Sequence, residues 1–434
     1  MRKYIYTSLF MLMFTTSFIS AQLDLIGQYK VRPEFSNGYG RPLLKSDEPN
    51  FFINQRARLG LQYKHSIFQF NVTLQDVRTW GNTSHVGIDN SGLLSIYEAN
   101  ASIFFNKTWS IKLGRQEISY DNQRIFGGLD WAMQGRRHDA AIVTYKDSTW
   151  QVDLGGSYNQ QKASNKAILY EINNYKTFQY LWAHKDWKNF NASFLFLNNG
   201  VDQIYVEDSI KKSRTNYSQT VGAHLNYNRK KLDLMAFGYY QMGFTKDNRT
   251  LTGYDVSFAA TYKPIKGLGI TLGGEILSGT SQLKDTPDDR SHSFSPLYGT
   301  NHGFNGFMDN FYVGGEHENS TGLMNPYLKL NYKFKKFGFE VANHLFYSAA
   351  DIKTPIYNMP GYDPDRSANY YLGYEIDFTF TYKPVDEVAI QFGYSHLFNS
   401  TSMERVKYWM NDMKKHSDYV YVMVTIHPFK NLKF

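Results

Sequence analysis

The chain has 434 residues, a formal net charge of +8, an aromatic content of 17% and no cysteine. Without cysteine it can form neither disulfides nor a lipid-anchored N-terminus, which excludes disulfide-stabilised proteins and lipoproteins. No Pro-rich, Gly/Ser-rich or charge-block linker divides it into the two or three soluble domains that this length allows. One large sheet is therefore the simpler interpretation.

The first 21 residues are predicted to be a secretory signal peptide. Arg2 and Lys3 form its positively charged start, an apolar stretch follows, and a small-residue cleavage context ends at Ala21. We expect the mature chain to begin at Gln22. Residues 22–434 are then expected to form one domain, integral to the cell outer membrane.

Alternation of apolar and polar residues is the main structural signal beyond the signal peptide. No later run reaches the 18 or more apolar residues of a membrane-spanning helix, and the mean hydropathy is −0.48. Residues 370–383 alternate strictly, with aromatic and aliphatic side chains on one face and Glu375, Asp377 and Lys383 on the other. Tyrosines at both ends of the apolar face resemble the aromatic girdles of a bilayer-spanning strand. The charged face suits a watery lumen.

Eighteen stretches of this kind can be marked along the chain. They lie near residues 22–33, 51–63, 67–78, 93–105, 109–117, 137–145, 149–158, 175–185, 189–198, 218–228, 231–243, 251–263, 267–278, 323–334, 337–348, 369–383, 387–398 and 417–428. Short turns alternate with longer loops between them, as in barrels with short periplasmic turns and long extracellular loops. The sequence therefore predicts an all-β fold, a transmembrane antiparallel β-barrel of about 18 strands. The terminal Phe434 is typical of the signal read by the barrel assembly machinery.

Basic residues that bear on function cluster in the first third of the chain. Arg56 and Arg58 fall on one inward face. Further arginines and acids follow at Arg78, Arg115, Arg124, Arg137, Asp76, Asp130 and Asp139. Inward arginines would attract anions and repel cations in a pore. Alternatively, the acids neutralise them in a network that braces the wall, and the sequence leaves both interpretations open.

Strand parity constrains where some of these charges can lie. Asp76 and Arg78 share a face with Phe70 and Leu74, and Arg115 shares one with apolar residues of its own strand. A charge facing lipid at mid-depth costs roughly 2–4 kcal/mol. We expect these residues either to sit above the bilayer or to follow a bulge that reverses the phase. Both cases place them near the outer mouth of the barrel.

The longest connection, 279–322, contains histidines and acids but no familiar metal-binding spacing. These residues are His292, His302, Glu316, His317 and Glu318. A flexible outer loop is favoured over a metal site. Its centre, residues 298–311, is aromatic and Gly-rich. We expect it to fold into the barrel mouth as a constriction that includes His302, Asp309 and Asn310.

Several other functions have no support in the sequence. No hydrolase nucleophile motif, Gly-x-Gly-x-x-Gly pattern or phosphate loop is present, so we expect neither an enzyme nor a cofactor. The basic residues are spread through turns and lumen faces, which disfavours nucleic acid binding. The strands begin almost at the mature N-terminus, which leaves no room for the plug domain of an active transporter.

The quoted arginine and aspartate motifs together resemble the alginate export family of outer-membrane proteins. The resemblance covers Gln55–Leu59, Gln75–Gly81, Gly114–Gln116, Arg124, Asp130-Trp131 and Arg137–Asp139, and residues 298–311 look like the version in Bacteroidetes-type members. It implies an eighteen-stranded barrel that conducts an anionic polysaccharide, with Arg56, Arg58, Arg78, Arg115, Arg124 and Arg137 as the positive lining and Asp76, Asp130 and Asp139 as their partners. The exporter of that family has a long periplasmic plug loop near its C-terminal strands, whereas the turn at Pro384–Glu387 is short.

Three hypotheses follow. The first is a passive channel for anionic solutes, such as acidic sugars, through an arginine-lined lumen. The second is a general porin in which the arginines only brace the wall. The third is an adhesion barrel with an occluded lumen. The expected partners are an anionic sugar or other small anion, outer-membrane lipid and the assembly machinery, and we expect a monomer.

Overall fold

The computed structural model describes residues 22–86, 92–172, 174–283, 289–312, 321–353, 367–408 and 412–429. The strands are β1 (Gln22–Asn37), β2 (Asn50–Lys64), β3 (Phe68–Thr79), β4 (Leu94–Phe104), β5 (Trp109–Gln116), β6 (His138–Lys146), β7 (Trp150–Tyr158), β8 (Thr177–Asp186), β9 (Phe190–Glu207), β10 (Ile210–Arg229), β11 (Leu232–Phe244), β12 (Thr250–Tyr262), β13 (Leu268–Leu277), β14 (Arg290–Ser291), β15 (Leu323–Phe334), β16 (Phe337–Tyr347), β17 (Tyr371–Val385), β18 (Val388–Asn399) and β19 (His416–Ile426). Helix α1 spans Thr401–Tyr408, and a 3-10 turn spans Asn301–Gly303.

The strands form one sheet that closes on itself. Each wall strand pairs antiparallel with its neighbours along the chain, and β1 pairs with both β2 and β19. The two-residue β14 pairs parallel with the end of β12 and is not part of the wall. Eighteen antiparallel strands therefore close the barrel, which confirms the predicted fold and strand number.

The wall is apolar outside and polar inside. On β12, Tyr254, Val256 and Phe258 expose 47%, 51% and 54% of their surface, whereas the intervening Asp255 and Ser257 are buried. A strand with this pattern is stable when lipid covers the exposed face and the lumen holds the polar one. Among the described residues, no helix has both the length and the apolar character needed to cross a membrane.

The long connections at one end of the barrel enter the lumen. Residues 117–137, here called inner loop 1, and residues 292–312, inner loop 2, pack inside the wall with Phe126, Met308 and Phe311 buried. The segment at 38–49 and α1 pack beside them, with an isolated bridge between Leu44 and Met413. The predicted signal peptide, Phe434 and Glu316–Glu318 lie outside the described residues.

Candidate channel constriction

The two inner loops join to form one unit across the lumen. Gly127 N donates to Tyr298 O at 2.9 Å, and Thr300 N donates to Gln123 O at 2.9 Å. The rings of Phe126 and Tyr298 stack at 5.4 Å. Inner loop 2 therefore has a fixed partner inside the barrel and does not depend on the wall alone for its position.

Arg124 anchors this unit to the wall. Its guanidinium is fully buried, and its Nε lies 3.0 Å from Asp255 Oδ2 and 2.9 Å from Glu275 Oε1. It also donates to the side chains of Asn301 at 3.1 Å and Asn305 at 3.4 Å. Arg124 thus links inner loop 1, inner loop 2, β12 and β13. It has no free donor face for a passing anion, so its role is structural rather than that of the pore-lining residue expected from the resemblance.

The tip of inner loop 2 binds two carboxylates of β17. Met308 N donates to Glu375 Oε1 at 2.8 Å, and Phe307 N donates to Asp377 Oδ2 at 3.4 Å. Gly306 has a φ of +79°, and a Cβ there would stand 2.4 Å from Glu375. Glycine is needed at this position both for its backbone conformation and for the close approach.

The three residues predicted for the constriction are buried where the loops meet. His302 Nδ1 lies 2.7 Å from Asp309 Oδ1, and its ring stacks on Trp131 at 3.7 Å. Asp309 also accepts from the Tyr39 hydroxyl. Asn310 Nδ2 donates to Met308 O at 3.2 Å. These contacts hold the two loops against each other and against Tyr39 in the segment at 38–49.

Arg56 also lies in a structural network. Its Nη2 contacts Asp130 Oδ1 at 2.5 Å and its Nη1 donates to Met133 O at 3.2 Å, while Lys30 Nζ binds Asp130 Oδ2 at 2.6 Å. Asp130 exposes 67% of its side chain to the lumen. Its surroundings tend to raise its pKa by excluding water, but Lys30 and then Arg56 outweigh this and hold the pKa of Asp130 below its ordinary value.

Two of the predicted arginines face away from the lumen. Arg78 forms a bidentate pair with Asp76 at 2.8 and 2.6 Å, and Arg115 forms one with Asp139 at 2.8 Å for both bonds. Asp76 lies opposite Ala57, in phase with the exposed Leu59 and Leu74. The prediction of a pore-lining residue is therefore wrong for Arg115, whereas Arg78 also borders a cavity at the long-loop end of the lumen.

The physical reason is the phase of the strands. The register between β3 and β4 shifts after Thr73, so that the extra residue, Tyr97, lies on β4. Because the bulge lies on β4, it does not reverse the alternation of β3 and β5, and Arg78 and Arg115 stay in phase with the outward residues of those strands. Each outward arginine is instead neutralised by an acid on the same face, two residues away or directly across the sheet.

Three arginines beside the inner loops have no carboxylate partner in the described part of the chain. Among the described residues, Arg58 Nε donates to Gln75, Arg137 Nη1 to Gln134 O and Arg136 Nη1 to Gly299 O, with no ion pair at any of them. Arg58 lies 3.4 Å over the Tyr97 ring, and its buried Nη2 has no hydrogen-bond partner. Burial lowers the pKa of Arg136, and burial followed by repulsion from Arg115 lowers that of Arg137. These are the uncompensated cations of the site.

The predicted pore lining did not include Arg136 or the basic residues of β1. Lys30 and Arg32 face the lumen and are buried. They alternate with the outward Tyr29 and Val31, so the parity that identified Arg56 could have found them. Arg136 lies in a loop, where the sequence has no alternation from which the direction of a side chain can be predicted.

A cavity of about 650 Å³ lies on the long-loop side of the unit. It is bordered by Arg32, Arg136, Trp131, His302 and Asp309, together with other residues of the two inner loops and residues of β2 and β3 that include Arg78. A second cavity, of about 340 Å³, lies on the short-turn side and is bordered by residues that include Gln123, Glu275 and Lys329. The inner loops therefore lie between two cavities of the lumen.

The described part of the long connection does not bring its histidines together. His292 Nδ1 lies 2.7 Å from Thr252 Oγ1, whereas His302 pairs with Asp309. Within the described ranges, no group of three or more His, Asp or Glu residues is arranged to hold a metal ion.

A closed sheet, an apolar outer surface and a lumen narrowed by loops define a porin-like channel that is integral to the outer membrane. The chain belongs to the alginate export family, whose model matches residues 21–402. The resemblance inferred from the arginine and aspartate motifs is thereby confirmed. A comparison with curated proteins gave no match.

Solved structures from Pseudomonas aeruginosa share the fold. The outer membrane protein OpdK is 10% identical, with a TM-score of 0.58 over 95% of this chain and 99% of that chain. OccD3 (OpdP) is 12% identical, with a TM-score of 0.56 over 93% and 91%. OccK11 (OpdR) is 9% identical, with a TM-score of 0.56 over 96% of each chain.

Proposed function

We propose that this barrel is a passive diffusion channel for small anionic solutes, with acidic sugars of the alginate type as the leading class. The observation that carries the proposal is the presence of Arg58, Arg136 and Arg137 without ion pairs beside a constriction whose acids are already engaged. A cation in a narrow pore that no protein carboxylate neutralises attracts anions from solution.

The neighbouring acids support the same direction of selectivity. Asp255 and Glu275 bind Arg124, and Glu375 and Asp377 bind the tip of inner loop 2. Carboxylates engaged in this way are poor sites for a passing cation.

The short turn between β17 and β18 favours passive passage over gated polymer secretion. β17 ends at Val385 and β18 begins at Val388, so no long periplasmic segment is available there to close the channel.

The expected monomer would agree with a pore formed by one closed sheet. The cleaved signal peptide also remains a proposal, which N-terminal sequencing of the mature protein tests.

The general porin is retained as the second candidate because Arg56 and Arg124 serve the structure. Planar-bilayer reversal potentials in a KCl gradient separate the two. We expect the wild type to prefer chloride, and Arg58→Gln combined with Arg136→Gln to shift the reversal potential toward cation selectivity. The matched control is Arg115→Gln with Arg214→Gln, which removes the same charge from the outer wall and from the exposed β9–β10 hairpin and should leave the reversal potential unchanged.

Each outcome of this experiment has a defined meaning. An unchanged reversal potential in the Arg58 and Arg136 double variant would favour the general porin, and a nonconducting wild type would favour the adhesion barrel. Block of the chloride current by a short oligomer of uronic acid, weakened in the double variant, would identify the solute class.

A further inference from the structure

A pair of histidines lies outside the channel, on the outer wall of β18 and β19. His396 is in phase with the exposed Phe392, Tyr394 and Phe398, and His416 is in phase with the exposed Val422. Both lie near the long-loop end of their strands, where the wall leaves the membrane. They therefore have no role in the lumen.

The nitrogens of these two rings converge. His396 Nε2 lies 3.3 Å from His416 Nδ1, and the ring planes are inclined at 39°. Two imidazole nitrogens that each bind a tetrahedral Zn²⁺ at about 2.05 Å stand roughly 3.3 Å apart. In the structure this contact is a hydrogen bond in which His416 Nδ1–H donates to His396 Nε2, because the Nδ1–H of His396 is directed at Asp418. The same separation suits two nitrogens on one shared ion once His416 takes its other tautomer.

Asp418 prepares His396 for this role. His396 Nδ1 donates to Asp418 Oδ1 at 2.7 Å, which leaves Nε2 as the nitrogen with the lone pair. The hydroxyl of Tyr394 and the side-chain amide of Asn37 donate to the same carboxylate at 3.0 and 3.3 Å. A carboxylate that orients a ligating histidine and raises its basicity is a common second partner in metal sites.

We propose that His396 and His416 form a two-histidine site for a transition-metal ion such as Zn²⁺ at the extracellular rim. Imidazole ligands select zinc, copper or nickel over calcium and magnesium. The chain supplies two ligands, so water or an oxygen donor from outside fills the remaining positions. His416 is exposed and can rotate its ring to complete the geometry.

Zinc titration calorimetry on the full chain in detergent, without a polyhistidine tag, tests the site. We expect one Zn²⁺ to bind at pH 7.5, and His416→Gln or His396→Gln to weaken its affinity by at least about tenfold. Asp418→Asn should weaken it by about 10- to 100-fold. His65→Gln is the matched control, because His65 lies at a periplasmic turn against Phe68 and away from this pair.

Acid provides a second readout, because ligating imidazoles must be neutral and protons therefore compete with Zn²⁺ for the site. Unchanged single-channel conductance in His416→Gln would show that the variant is folded. Equal Zn²⁺ affinity in the wild type and in the His396→Gln, His416→Gln double variant would overturn the proposal.

Discussion

At the residue scale, the arginines divide according to the partner that each one finds. Parity predicts the inward direction of Arg56 and Arg58, because one face of a wall strand must be apolar. It cannot predict that Asp130 from a distant loop neutralises Arg56 while no acid reaches Arg58. That difference depends on how inner loop 1 folds in the lumen, where neighbours come from sequence positions far apart.

Arg124 gives a prediction about stability at this scale. Arg124→Met leaves Asp255 and Glu275 buried without a cation, and breaking a buried pair in this way costs about 3–5 kcal/mol. We expect the free energy of unfolding in urea to fall by that amount. The control Lys212→Met removes an exposed pair with Glu207 on the β9–β10 hairpin and should cost about 1 kcal/mol or less. Equal losses in the two variants would show that Arg124 does not anchor the loops.

At the element scale, alternation predicted the strands wherever lipid meets one face and water the other. It failed at the end of β9, which continues to Glu207, and at the start of β10, which begins at Ile210. The sequence pattern assigns these residues to an outer loop. That hairpin extends past the wall, so both of its faces meet water and no apolar face is required. The end of β1, to Asn37, was missed in the same region of the barrel.

Inner loop 2 allows a test with two glycines of the same element. In Gly306→Ala the new methyl group would collide with Glu375, and the alanine would have to adopt the left-handed backbone conformation of Gly306. A Cβ at Gly303, in contrast, has no atom within 4 Å. We expect Gly306→Ala to detach the loop tip from β17 and to raise single-channel conductance. Gly303→Ala should conduct like the wild type. A wild-type conductance in Gly306→Ala would mean that the tip does not narrow the pore.

At the scale of the whole molecule, the open area of the pore depends on loops held by ion pairs to a rigid wall. The ion pairs of inner loop 1 with β1 and β2 share one carboxylate, Asp130, which binds Lys30 and Arg56, beside hydrogen bonds from Arg32 and Arg56 to backbone carbonyls of the loop. Because the pKa of Asp130 is held below its ordinary value, the attachment is complete above about pH 4 and is lost as the pH falls through the lowered pKa. Acid should therefore release this loop before it unfolds the barrel.

Single-channel conductance recorded from pH 7 to pH 3 measures this release. We expect the wild type to show noisier and larger currents only at the acid end, while Asp130→Asn shows them already at pH 7, since an amide cannot pair with two cations. Asp139→Asn is the control, because that carboxylate pairs with Arg115 on the outer wall and holds no loop. Other carboxylates also titrate at low pH, so the difference between the Asp130 variant and the wild type at pH 7 carries the test. If that difference is absent, inner loop 1 is held by its contacts with inner loop 2, and Asp130 serves only to neutralise the basic wall.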